Sequence, residues 1–204
     1  VDWGGHLLIV PVGHFESYKH LIHSDSSGEI RKEMFEMKAQ VSKMYWKRDE
    51  VLVSFEIFGG FQGQSAPMQH FHFQLLPVHS DLELEVEPSF RREAEAHGFI
   101  VTQEKDVELL ALAYCKVEIF SNGKHISTFI FTPSEQKLQE FRFIEEEASN
   151  GRKRPPRLID PQFGRTVIAN LLGYPEKSDW KYCIQTEEEE KAMAAHIKAL
   201  YESR

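Results

Sequence analysis

The chain has 204 residues, 41% of them hydrophobic and 27% charged. That length buries roughly 70% of the unfolded surface, so a core needs no disulfide or metal staple, and the composition excludes wholesale disorder. The 24 Lys and Arg against 32 Asp and Glu leave a net charge of −8, which excludes wrapping of nucleic acid by the whole surface, because a phosphate backbone repels a net anion.

In chain order, His6–Val12 reads as a strand running into a turn at Pro11-Val12-Gly13. A polar break at Asp25–Gly28 precedes a helix from Ile30 to Trp46, with Met34, Met37, Val41, Met44 and Tyr45 on one stripe. Val51–Phe58 reads as a strand followed by a loop carrying Gly59, Gly60 and Gly63. Gln69–Val78 is a second strand, closed by Pro77, and Ser89–His97 is a short helix stopped by Gly98. Tyr114–Phe120 and His125–Phe131 flank Asn122-Gly123, which supplies the positive φ of a tight hairpin. Thr132-Pro133-Ser134-Glu135 has the grammar of a helix start capped by Thr132, with Leu138, Phe141 and Ile144 facing inward. Ser149–Pro156 is a loop, and Phe163-Gly164-Arg165 a turn before a helix that buries Val167 and Ile168 and stops at Gly173. Thr186 and Glu189 form a capping box for a terminal helix whose buried stripe is Met193, Ile197, Leu200 and Tyr201. The Glu187–Glu190 run complements the dipole of that helix.

No apolar run approaches the ~18 residues that span a bilayer. The two cysteines, Cys115 and Cys183, form no C-x-x-C pair; they suit a reducing compartment and read as small core residues. No signal peptide opens the chain, and Val1 in place of Met suggests that an upstream part is missing.

The segment Gln69-His70-Phe71-His72-Phe73-Gln74 carries the most chemistry. On a strand, alternate side chains share a face, so His70, His72 and Gln74 project together about 6.5–7 Å apart while Phe71, Phe73 and Leu75 point into a core. One imidazole could then attack phosphorus while its neighbour and the amide hold non-bridging oxygens. The alternatives are a solvated polar face, or zinc on the H-x-H pair, for which no third ligand is evident. Arg165 is either an exposed first-turn residue or a fork for phosphate or carboxylate. Trp180 is a packing anchor or a base-stacking platform. Arg152, Lys153, Arg154 and Arg157 cluster in an acidic chain, either as a solvated linker or as a contact for RNA phosphates or a nuclear-import signal.

Gly5-His6-Leu7-Leu8-Ile9-Val10-Pro11-Val12-Gly13-His14, a helix, a strand, a Gly-rich loop and then His70-Phe71-His72-Phe73-Gln74 together resemble the histidine-triad (HIT) superfamily. Pro11 and His14 match its P-x-x-H, and the final triad position is Gln74, as in the nucleotidyltransferase branch. The resemblance implies His72 as the position of a covalent nucleotidyl intermediate, His70 and Gln74 as its flanks, and Gln64 and Ser65 in the loop approaching the phosphate. Further on, Asp160-Pro161-Gln162-Phe163-Gly164-Arg165, Asp179-Trp180-Lys181-Tyr182-Cys183 and the Glu-rich helix start resemble the second region of CwfJ-type, Cwf-nineteen-like splicing factors. The branch resembled works beside the lariat debranching enzyme and carries an upstream metallophosphoesterase-like domain.

The expectation is an α+β protein: a HIT-like antiparallel sheet with a helix over residues 1–90, and a second α+β module over 91–204 packed against it. The resemblance implies a nuclear factor in intron-lariat turnover, a partner or activator of the debranching enzyme among late or post-release spliceosome components, with His14, Gln64, Ser65, Arg165 and the basic loop as the candidate contacts to phosphate or lariat RNA. It calls for no cofactor, no metal and no membrane. The alternative is an active HIT-type nucleotidyl hydrolase or transferase, with His72 as nucleophile.

Overall fold

The computed structural model describes residues 6–59, 70–103, 113–142, 157–183 and 186–202. The elements are β1 (Leu7–Ile9), α1 (Tyr18–Ser24), α2 (Glu29–Trp46), β2 (Glu50–Phe58), β3 (Phe73–His79), α3 (Glu83–Ala96), β4 (Phe99–Thr102), β5 (Tyr114–Ser121) and β6 (Lys124–Pro133). A helical stretch over 135–142 (α4), α5 (Phe163–Leu171) and α6 (Glu187–Glu202) complete them. The fold is α+β. Among the described residues one six-stranded antiparallel sheet runs in the order β1-β3-β2-β5-β6-β4. Position 90, where the sequence reading divided the chain, lies within α3, and β2 pairs with β5 from Leu52↔Phe120 to Phe58↔Tyr114.

Strand alternation gives the sheet two buried faces. Val51, Val53 and Phe55 of β2, with Leu76 and Val78 of β3 and Cys115, Val117 and Ile119 of β5, meet Phe90 of α3 and Phe163, Val167 and Ile168 of α5. On the other face Leu52, Phe73, Leu75 and Phe120 meet Leu21 of α1 and Met34, Val41, Met44 and Tyr45 of α2. Covering both faces with helices explains why β2 reads as a nearly continuous buried run.

Several local expectations need correction. Met37 is exposed, because the stripe of α2 is centred on Met34, Val41 and Met44. Pro77 does not close β3 but pairs with Leu52 inside it; β1 flanks β3 from Phe73 to Leu75, so the far side of Pro77 needs no backbone donor. Helix α3 starts at Glu83 rather than Ser89 and runs through Pro88, while Gly98 stops it at φ +75°. Thr132 stays in β6 with its hydroxyl on Thr102, and the cap of α4 is Ser134, whose Oγ accepts from Lys137 N–H at 3.2 Å. Phe163-Gly164-Arg165 is the first turn of α5 itself. Cys183 is exposed.

Other expectations hold. Asn122 and Gly123 sit at φ +48° and +76° in a two-residue turn, with Ser121 paired to Lys124. Thr186 and Glu189 exchange the capping-box bonds at 2.7 and 3.3 Å. The terminal helix they start is laid on loosely, however. Its Met193 and Ile197 line a groove of about 500 Å³ against Val41 and Met44 of α2, and Tyr201 is exposed, bonded to Gln40.

Between the sheet and α1 and α2 lies a buried charged layer. Lys38 of α2 pairs with Glu118 of β5, which also meets Lys116 at 3.6 Å. The Lys38 ammonium lies 3.9 Å from the Phe73 ring centroid, and Lys116 lies 3.8 Å from that of Tyr18. Burial works to raise Glu118, but the charges of Lys38 and Lys116 outweigh it and hold the carboxyl below its ordinary value.

Glu56 of β2 accepts from Tyr18 N–H and the Tyr114 hydroxyl, both at 2.8 Å, and its Oε2 has no hydrogen-bond partner among the described residues. Burial pushes it up to about 7 from an ordinary 4.5, against those bonds and Lys116. A carboxyl raised on folding binds more protons in the folded state, so its contribution to stability falls as pH rises from 4.5 to about 7 and is level above. Glu56→Gln is expected to flatten that part of the stability–pH curve by a few kcal/mol, measured by urea unfolding. Equal slopes in both proteins would refute the assignment.

Candidate functional site

The site is built at one end of the sheet by β1, β3 and the start of α5. Burial alternates through His70–Leu75: Phe71, Phe73 and Leu75 are buried, whereas His72 and Gln74 are half-buried and His70 is exposed. His70 and His72 precede β3, which begins at Phe73. The extended run is anchored instead by Phe71 N–H, which donates to the Phe15 carbonyl at 2.6 Å.

Each imidazole has a defined backbone partner. His70 Nε2–H donates to the carbonyls of Pro11 and Gly13, at 3.1 and 3.2 Å, and its ring lies 5.2 Å from that of His14. The expected strand-and-turn segment therefore does bring Pro11, His14 and His70 together. His72 Nδ1–H donates to the His70 carbonyl at 2.9 Å. With Nδ1–H committed to that carbonyl, the other ring nitrogen, Nε2, is left facing away from the backbone.

His6, which the sequence reading passed over, belongs to this site. The β1–β3 register sets Leu8 opposite Gln74, so His6, Leu8 and Val10 share the face of His72 and Gln74. His6 hydrogen-bonds the Gln74 side chain; desolvation by its surroundings, then the charge of Arg165, push its pKa down to about 4, with His72 adding to the effect. It is a neutral imidazole at physiological pH. Beside it Leu8 and Val10 are 55% and 48% exposed, an apolar border at the open edge of the sheet.

Arg165 arrives from the other half of the chain. Phe55 is the direct cross-strand partner of Gln74, and a Cβ at Gly164 would come within 2.5 Å of the Phe55 ring. Only a glycine lets the first turn of α5 sit this low on the sheet. The next residue, Arg165, is half-buried, with Nη2 donating to the Lys177 carbonyl and to Cys183 Sγ, both at 3.4 Å. Cys183 Sγ in turn donates to the Lys177 carbonyl at 3.2 Å. Arg165 is thus a held guanidinium rather than a freely exposed first-turn residue.

Arg157 packs its stem over Gly59, where β2 ends, at the same end of the sheet as His70–Gln74. Gln64, Ser65, Arg152, Lys153 and Arg154 lie outside the described residues, as does the side chain of Trp180. Among the described residues no three His, Cys, Asp or Glu side chains gather as metal ligands, and no helix is long and apolar enough to cross a membrane. The face therefore offers the imidazoles of His6 and His72, an amide and one fixed cation, a set that can hold the oxygens of a phosphate.

Comparison with known proteins extends the picture. Residues 3–91 match the family described as "Protein similar to CwfJ C-terminal". The chain is 30% identical over 198 residues to the CWF19-like protein mug161 of Schizosaccharomyces pombe, covering 97% of this chain and 29% of that protein. It is 27% identical over 208 residues to the CWF19-like protein DRN1 of Saccharomyces cerevisiae, covering 98% and 38%. With CWF19-like protein 1 of Homo sapiens the identity is 26% over 204 residues, covering 97% and 31%. The chain thus spans about a third of the length of these relatives.

Proposed function

Because the chain belongs to the CwfJ/CWF19-like family, we propose that it is the phosphate-binding part of a nuclear, splicing-associated factor that acts in intron-lariat turnover. Its partner is the lariat debranching enzyme, to which it presents branched RNA. The observation that carries the reading is the meeting of His72, Gln74 and His6 with Arg165 on one face, in a chain whose whole length follows CWF19-like relatives. An acidic protein that gathers its phosphate-binding groups at one end of a sheet suits a local contact with RNA better than a continuous track along it. His14 and Arg157 border that contact, and Gln64, Ser65, Arg152, Lys153 and Arg154, outside the described residues, are the further phosphate- or RNA-binding candidates of this proposal.

The test is a calorimetric titration of the chain against the purified debranching enzyme, followed by debranching assays on a branched RNA with and without the chain. Heat of binding and a several-fold faster debranching are expected. Absence of both, with the chain folded by circular dichroism, would defeat the proposal.

A second reading rests on the His72 tautomer. An Nδ1–H fixed on the His70 carbonyl leaves Nε2 free to attack phosphorus. On that reading the chain forms a covalent nucleotidyl-His72 adduct from a nucleotide phosphoramidate or dinucleotide, visible by mass spectrometry and lost in His72→Ala.

A further inference from the structure

Resting on the partnership with the debranching enzyme proposed above, we propose that the chain docks on this partner through the groove between the first turns of α3 and the β5–β6 hairpin. The partner fills it with an apolar side chain flanked by lysine or arginine.

The groove encloses about 360 Å³ and lies at the end of the sheet away from the histidine face. Gln74 stands near the start of β3, which runs on to His79 before the chain turns into α3. At about 3.3 Å per residue the two ends are roughly 20 Å apart. RNA at one end and a protein at the other can therefore be held at once.

Two local features build the apolar walls. Ile119 pairs with Ser127 and Phe120 with His125, so Ile126 is the extra residue of a β-bulge. A bulge takes its residue out of the ladder and re-aims the side chain. Ile126 is 50% exposed and lines the groove beside the buried Ile119. Across from it stand Leu84 and, one turn on, Pro88. The buried stripe of α3 is Val86, Ser89, Phe90 and Ala94. Leu84 lies off that stripe and is 85% exposed, so it adds nothing to the protein's own core. A single exposed leucine is ordinary, but aliphatic side chains facing each other across a groove make a contact surface.

The rim states the chemistry of the occupant. From position 81 to 91 the chain has four carboxylates, Asp81, Glu83, Glu85 and Glu87, against the single cation Arg91. Arg91 is already engaged, its Nε donating to Glu87 at 2.8 Å. Glu83 and Glu87 line the groove itself. Such a rim repels phosphate, so the occupant is a protein segment and not RNA. Basic residues beside an apolar anchor complement the carboxylates while the anchor is desolvated between Leu84 and Ile126.

The purified debranching enzyme is the probe. It is titrated calorimetrically with the chain, with Leu84→Ala/Ile126→Ala, and with Leu84→Lys and Leu84→Glu, each folded by circular dichroism. The double-alanine variant is expected to bind about tenfold more weakly. Leu84→Lys should bind several-fold more weakly than Leu84→Glu, because it sets a cation against the partner's basic residues. A double-alanine variant that binds as well as the unaltered chain, or Lys and Glu variants of equal affinity, overturns this inference and leaves the partnership standing. Loss of self-association or of branched-RNA binding in place of enzyme binding would give the groove another occupant and overturn it as well. If the unaltered chain does not bind the enzyme, the inference and the partnership both fail.

Discussion

Lys38→Met is expected to lower unfolding free energy by about 3 kcal/mol or more, at the lower end of the usual range for breaking a buried ion pair. Methionine has nearly the length of lysine and keeps the contacts with Phe73 and Phe120, so the change isolates the charge from the packing. What remains is Glu118, buried, with Lys116 at 3.6 Å as its cationic neighbour. That second cation keeps the loss from being larger. The double variant Lys38→Met/Glu118→Gln removes the stranded carboxylate as well and should recover more than half of the loss. Urea unfolding of the three proteins decides it; a single variant within 1 kcal/mol of wild type would show that the pair contributes little.

Gly164→Ala is expected to cost about 1–3 kcal/mol, although alanine is the better helix former by about 1 kcal/mol. The added Cβ would lie 2.5 Å from Cδ2 and Cε2 of Phe55 and 2.9 Å from Cγ. Phe55 is fully buried and wedged against Phe90, so the ring has nowhere to go and α5 must lift. Lifting α5 moves Arg165, so weaker nucleotide binding should accompany the lower stability. Thermal unfolding, and a nucleoside monophosphate titration followed by the histidine ring resonances, test both effects on the same variant. A Gly164→Ala protein as stable as wild type would mean that α5 is not seated by this contact.

These two sites mark how far the sequence could be read. The Asn122-Gly123 hairpin and the Thr186/Glu189 box were legible because their chemistry is local: positive φ and reciprocal capping are settled within four residues. The alternation that puts His72 and Gln74 opposite Phe71 and Phe73 was legible for the same reason. His6 was not, because its place beside Gln74 depends on the β1–β3 register, made across more than sixty positions. Arg165 could be named but left undecided, since Gly164 looks like a turn residue until Phe55 is known to lie beneath it. Lys38 interrupts a clean apolar stripe and reads as a surface lysine. Its partner is on β5, and no helical periodicity points there.

The pairing of β2 with β5 also has a consequence for synthesis. β2 ends at Phe58 and β5 begins at Tyr114, so at translation rates of about 5–20 residues per second the outer flank of β2 waits roughly 3–12 s for its partner. During that time the nascent chain carries an open, hydrophobic strand edge, the usual template for mispairing with a neighbouring chain. Glu56 sits on that waiting strand, and its cross-strand partner on β5 is Lys116. Any stranger that zips onto β2 must bury the Glu56 carboxylate without Tyr114 and Lys116 around it. The carboxylate that burdens the finished sheet above neutral pH is, on the ribosome, a gatekeeper that only the protein's own β5 relieves.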